Sequence, residues 1–83
     1  MENVILSKQA AKVLGRMPRN TADLIRSKVS QLAQDPDAQA NNVKWIAAFG
    51  CYRLRVGDWR VFFDRDGNIL NILAIRPRGN AYQ

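Results

Sequence analysis

The chain has 83 residues, 47% of them hydrophobic, and sets 13 lysines and arginines against seven acids for a net charge of +6. That length holds a single domain, 1–83, with one modest core, and the apolar content excludes a disordered chain. The lack of any histidine removes the commonest general base and metal ligand, and with them Ser-His-Asp and Cys-His catalysis.

Asn3-Val4-Ile5-Leu6 reads as a short edge or central strand. Ser7 follows as an N-cap, and Ala10, Val13, Leu14 and Met17 recur at helical spacing until Gly15 and Pro18 end the helix. A second helix starts between Pro18 and Thr21, with Asn20 and Asp23 as a capping pair. It buries Ala22, Ile25, Val29, Leu32 and Ala33 and stops at Asp35-Pro36-Asp37, because proline has no amide hydrogen and disfavours helix in the residue before it. Gln39 to Asn42 reads as loop and Val43 to Ile46 as a short strand, with Trp45 in buried packing.

After Gly50 the apolar period becomes two. Cys51 to Val56 alternates, Gly57-Asp58 makes a tight turn, and Trp59 to Asp64 alternates again. Asp66-Gly67 turns the chain into a last strand, Ile69 to Ile75, which Pro77 and Gly79 end. The fold class is therefore α+β: an N-terminal strand, a two-helix hairpin and an antiparallel β-meander packed on the helices.

No apolar run approaches the ~20 residues of a membrane span, and Met1-Glu2-Asn3 lacks a signal-peptide profile. The single cysteine, Cys51, has no internal partner, so a reducing cytoplasm is the expected compartment. No metal and no cofactor is expected.

From residue 53 onward every basic residue is arginine: Arg53, Arg55, Arg60, Arg65, Arg76 and Arg78. A guanidinium is a planar fork of donors that matches phosphate and keeps its charge near neutrality, so the expected partner is a polyanion, RNA above all. A two-residue turn at Gly57-Asp58 sets Arg55 opposite Arg60 and Arg53 opposite Phe62. It collects Tyr52, Leu54, Val56, Trp59, Val61 and Phe63 on one face and Arg53, Arg55 and Arg60 on the other. Like charges directly opposite one another cost up to about 1 kcal/mol. Three of them suggest an anion site; the plainer reading is that Asp58 or Asp64 neutralises the group.

Arg76 and Arg78 form a second basic group, which Pro77 and Gly79 place on a loop at the rim. If Phe63 pairs with Leu70, alternation sends Arg76 to the core face, so it must escape by a bulge or the strand end, or the register is shifted. The same register leaves Phe62, Leu73 and Ile75 on the face away from the core, to receive a partner or form a second small core. Tyr82 is either a packing residue or a platform for a base.

The run Tyr52-Arg53-Leu54-Arg55-Val56-Gly57-Asp58-Trp59-Arg60-Val61-Phe62-Phe63, with Ile75-Arg76-Pro77-Arg78 and Tyr82, resembles the RelE/ParE superfamily of bacterial type II toxins. Leu6 to Ala10 and the stretch through Asp35-Pro36 are similar to its N-terminal strand and helical hairpin. The resemblance implies a compact sheet against two helices and a cognate antitoxin that holds the toxin inactive. RelE-like members cleave mRNA in the ribosomal A site, whereas ParE-like members lack the catalytic set and poison DNA gyrase.

By position, Arg53 and Arg55 match two basic residues that are usually lysines, Arg60 the arginine after the turn, and Arg76 and Tyr82 the C-terminal pair. This favours the RelE-like branch: a metal-independent, ribosome-dependent endoribonuclease, with ParE-like gyrase inhibition as the alternative. The implied roles are catalytic for Arg55, Arg60, Arg76 and Tyr82, and RNA- or phosphate-binding for Arg53 and Arg78. Arginine in place of lysine is a departure, since a guanidinium cannot serve as general base. The sequence also ends at Gln83, short of the extra C-terminal helix some members carry.

Overall fold

A computed structural model describes residues 1–79. It contains β1 (Asn3–Leu6), α1 (Lys8–Arg16), α2 (Arg19–Gln34), a 3₁₀ segment (Pro36–Asn42), β2 (Val43–Ile46), β3 (Cys51–Val56), β4 (Trp59–Asp66) and β5 (Ile69–Pro77). The strands form one sheet in the order β1-β5-β4-β3-β2, with β1 parallel to β5 and every other pair antiparallel. Both helices lie on one face, which is the α+β arrangement expected from the periodicity.

The Ser7 hydroxyl accepts from the Ala10 N–H at 3.0 Å and so caps α1 as expected. The start of α2 differs. Its N-cap is Pro18, which makes no side-chain cap bond, and Asn20 accepts only from the adjacent Thr21 N–H. Asn20 lies inside the helix as its second residue rather than at the N-cap, so it satisfies one amide of the first turn and forms no capping pair with Asp23. At the other end Asp35 closes α2, and its carboxylate accepts from the Asp37 N–H. Residues 36–42, expected in part as loop, wind as 3₁₀ turns held by a Gln39 Nε2 bond to Gln31 Oε1 at 2.7 Å.

The core lies between the helices and Leu54, Val56, Val61, Phe63, Leu70, Ile72 and Ile75. The β3–β4 register is the expected one, residue for residue. The β4–β5 register is not. Phe63 pairs with Ile72 rather than Leu70, and the ladder shifts between Phe62 and Phe63 so that Phe62 meets Ala74. Leu73 is the unpaired extra residue, a β-bulge that reverses the alternation of everything beyond it. Ile75 therefore enters the core, 1% exposed, rather than the outer face. Phe62 is buried on the outer face, and of the three residues expected there for a partner only Leu73 is exposed.

Trp45, expected to be buried, is 52% exposed. It pairs with Tyr52 at the β2 edge, beyond the reach of the helices, and the two rings meet edge to face at 4.9 Å.

Candidate functional site

None of the described helices lies over the outer face of the sheet, and its side chains fall into rows across the strands. Arg60 on β4 pairs with Arg55 on β3 and with Arg76 on β5, so three guanidinium side chains occupy adjacent strands at one level. The Leu73 bulge places Arg76 there. With regular alternation it would point at the core, and with Pro77 ending the strand earlier it would sit on a loop. Instead β5 continues to Pro77, opposite Trp59, and Arg76 is a strand residue rather than a rim-loop residue.

The bulge is held from α1. Once β1 ends at Leu6, that edge of β5 has no further strand beside it among the described residues, and side chains complete the hydrogen bonding. The Ser7 hydroxyl donates to the Leu73 carbonyl at 2.7 Å. The Gln9 amide acts as a short stretch of strand: its nitrogen donates to the Ile75 carbonyl at 3.0 Å, and its oxygen accepts from the Ile75 N–H at 2.9 Å. Both backbone groups of Ile75 are thereby satisfied one residue before Arg76.

The next row holds Lys44 on β2, Arg53 on β3, Phe62 on β4 and Ala74 on β5. Lys44 faces Arg53 directly, a cation that reading the chain did not pick out. The signal was available, because the four residues Ala47 to Gly50 between β2 and β3 close an antiparallel pair whose register follows from turn length. A third row carries Cys51 and Asp64, whose carboxylate accepts from Asn71 Nδ2 at 3.0 Å. Burial, and secondarily the Asp64 carboxylate, push the Cys51 thiol above its ordinary pKa. The face therefore runs from predominantly cationic at the hairpin end, where Asp58 is the acid beside the arginines, to neutral and acidic at the other.

Two contiguous grooves follow the cations. One, of about 520 Å³, is bordered by Arg55, Arg60, Arg78, Lys28, Asn42 and the hairpin turn. The other, of about 250 Å³, is bordered by Lys44, Arg53 and Arg55 and shares Arg55 and Asn42 with the first. Arg78 joins the group through its backbone, its N–H donating to the Asp58 carbonyl at 2.6 Å. Five of the six expected residues, Arg53, Arg55, Arg60, Arg76 and Arg78, are thus gathered at the hairpin end. The sixth, Tyr82, lies outside the described residues.

Arg65 belongs to the opposite face. It pairs with Leu70, lies 5.3 Å from the Phe63 ring centroid and makes a 2.9 Å ion pair with Glu2. No group of three or more potential metal-ligating side chains comes together among the described residues, and none of the described helices is long and apolar enough to cross a membrane.

The family model described as the ParE toxin of the type II toxin-antitoxin system parDE matches residues 4–82. No curated protein sequence matches the chain. Among solved structures, the chain is similar to an archaeal RelE-RelB complex from Pyrococcus horikoshii, with 27% identity, a TM-score of 0.80, and 96% of this chain and 98% of that one covered. It shares its fold with the RelBE2 complex of Mycobacterium tuberculosis, at 18% identity and TM-score 0.76 over 93% of this chain and 98% of that one. The same holds for the RelBE complex of Escherichia coli, at 12% identity and TM-score 0.72 over 96% and 99%.

Proposed function

This chain belongs to the family of ParE toxins of type II toxin-antitoxin systems, and we propose that it acts as a RelE-type toxin, cleaving messenger RNA on the ribosome. The observation that carries the reading is the Arg55–Arg60–Arg76 row. Two adjacent like-charge pairs work against folding, each by up to about 1 kcal/mol. An anionic ligand that lies across all three offsets this, and a phosphodiester is the anion whose oxygens fit a guanidinium fork.

In this mechanism the 2′-hydroxyl of the RNA attacks the adjacent phosphorus. The new bond to the 2′-oxygen forms as the bond to the 5′-oxygen breaks; water takes the 2′-hydroxyl proton, which no guanidinium can accept, and water returns one to the 5′-oxygen. Arg55 and Arg60 stabilise the charge that grows on the phosphoryl oxygens, and Arg76 lies beside the leaving oxygen. Arg53 and Arg78 hold the flanking backbone, and Lys44, facing Arg53, extends that hold toward β2. Tyr82 stacks on or orients a base. No step requires a metal, and the rate comes from positioning and electrostatics, with the ribosome shaping the substrate.

The similar RelE chains are found in complexes with RelB, and by extension this toxin has a cognate antitoxin. An acidic or amphipathic segment laid over the cationic face would block the site. Primer extension on a translated message tests the assignment. The wild type is expected to cut, and Arg60→Ala to cut about 10²–10³-fold more slowly; equal cleavage by both overturns it. The family match to ParE supports a second reading, gyrase inhibition with the arginines as a protein-docking surface. A supercoiling assay run beside translation separates the two, since only one of them is blocked at low toxin concentration.

A further inference from the structure

Phe49 is a large apolar ring left half in solvent beside the cationic rows, with 51% of its surface exposed. It is firmly placed. The loop between β2 and β3 is fastened by the Phe49 and Gly50 amides, which both donate to the Ile46 carbonyl, at 3.1 and 3.0 Å. Gly50 sits at φ 64°, a conformation that suits glycine and lets the loop close this tightly. The ring stands edge to face on Phe62, with centroids 5.6 Å apart and planes at 78°. Phe62 is itself buried and pairs directly with Arg53. Along β4 it is two residues from Arg60, about 7 Å on the same face.

An aromatic surface one row away from a line of guanidinium groups matches the two demands of single-stranded nucleic acid, whose backbone seeks cations and whose unpaired bases seek a π-face. An acidic segment without apolar side chains would use the arginines and leave the ring uncovered, whereas single-stranded RNA engages both. We propose that Phe49 is a nucleobase-stacking platform, on which an unpaired base of the RNA rests while neighbouring phosphates lie on Arg53, Arg55 and Arg60. This rests on the RNA reading above and adds a base subsite to it. The subsite is tolerant of base identity, because every base offers a π-face and no polar side chain of the loop is placed to read an edge.

The test compares two probes on the purified full-length chain by fluorescence anisotropy: a short labelled oligouridine, and an abasic ribose-phosphate oligomer of equal length and charge. The wild type is expected to bind oligouridine about 10- to 100-fold more tightly than the abasic chain. Phe49→Ala and Phe49→Leu lose that preference and bind both probes as the wild type binds the abasic one, with the salt dependence unchanged. Phe49→Trp keeps the preference. The leucine variant retains apolar cover for Phe62, so its loss of preference isolates the ring.

The proposal falls, with the RNA reading intact, if Phe49→Ala keeps the base preference, if it weakens both probes equally, or if Phe49→Trp fails as alanine does. Both fall together if the wild type binds neither probe in a manner that Arg55→Ala weakens. Loss of gyrase inhibition in Phe49→Ala without loss of RNA preference would make the ring a protein contact and overturn the proposal.

Discussion

The two faces of the sheet use alternate residues of the same strands, and they are organised by opposite rules. On the helix face Leu54, Val61, Phe63, Leu70, Ile72 and Ile75 are at most 1% exposed, and the one arginine there, Arg65, is matched to Glu2. On the outer face Arg55, Arg60 and Arg76 stand side by side, with Asp58 of the hairpin turn bordering the same groove and Asp64, farther along β4, held by Asn71. The helix face buries its side chains against the helices; the outer face gathers like charges on adjacent strands. Arg65 shows that the fold can pair a cation where stability alone is at stake.

Substitutions on the two faces should separate stability from activity. Phe63→Ala empties the centre of the core, where the ring is 0% exposed and stacks on Tyr52 at 5.5 Å. The expected loss is about 3–5 kcal/mol, which leaves so small a domain largely unfolded, as read by urea denaturation. Arg76→Ala should do the reverse, lowering cleavage of a translated message about 10²–10³-fold while the urea midpoint stays level or rises. A loss of unfolding free energy beyond about 1 kcal/mol would mean that Arg76 supports the fold and would erase the contrast.

Gln9 joins the two faces. Gln9→Leu keeps the helix but removes both partners of the Ile75 backbone, with an expected cost of about 1–3 kcal/mol. Because the same bonds fix the strand beside Arg76, cleavage should fall as well, and Gln9→Glu should restore only the N–H contact. Unchanged cleavage in Gln9→Leu would show that the bulge holds itself. At the next level, Arg55→Gln relieves one like-charge pair and should raise stability by up to about 1 kcal/mol in low salt. The gain should shrink as salt screens the repulsion.

These contrasts also explain what was legible in the chain. The Arg55–Arg60 pair followed from a two-residue turn and strict alternation, because turn length sets register. Arg76 did not follow. Its face depends on one unpaired residue, Leu73, whose position is dictated by Ser7 and Gln9 some sixty-six residues earlier in the chain, and no local pattern encodes that. Phe49 was missed for a related reason, since its role comes from the ring it meets; Lys44 was within reach of turn length but lies in residues 43–50, whose periodicity is weak. Trp45 misled because large apolar side chains are usually buried, but an edge strand extends past the helices that would cover it.

The smallest expected effect tests whether the segregation along the outer face is real. Cys51 lies on the same face as the arginines, at the end where Asp64 sits. Its thiol is pushed up by burial first and by the Asp64 carboxylate second. A raised folded-state pKa means the folded chain holds the proton more tightly than the unfolded chain does. The resulting stability is present in full below the ordinary thiol pKa and is lost as pH rises through the folded value. Two outcomes follow: slow reaction of Cys51 with a thiol reagent at neutral pH, and a stability that declines on the alkaline side more in the wild type than in Cys51→Ala. A field from the arginine rows that reached Cys51 would act in the other direction, since nearby cations favour thiolate. Fast labelling at neutral pH would thus show that the cationic character extends over the whole face, and the division into a cationic end and a neutral end would have to be given up.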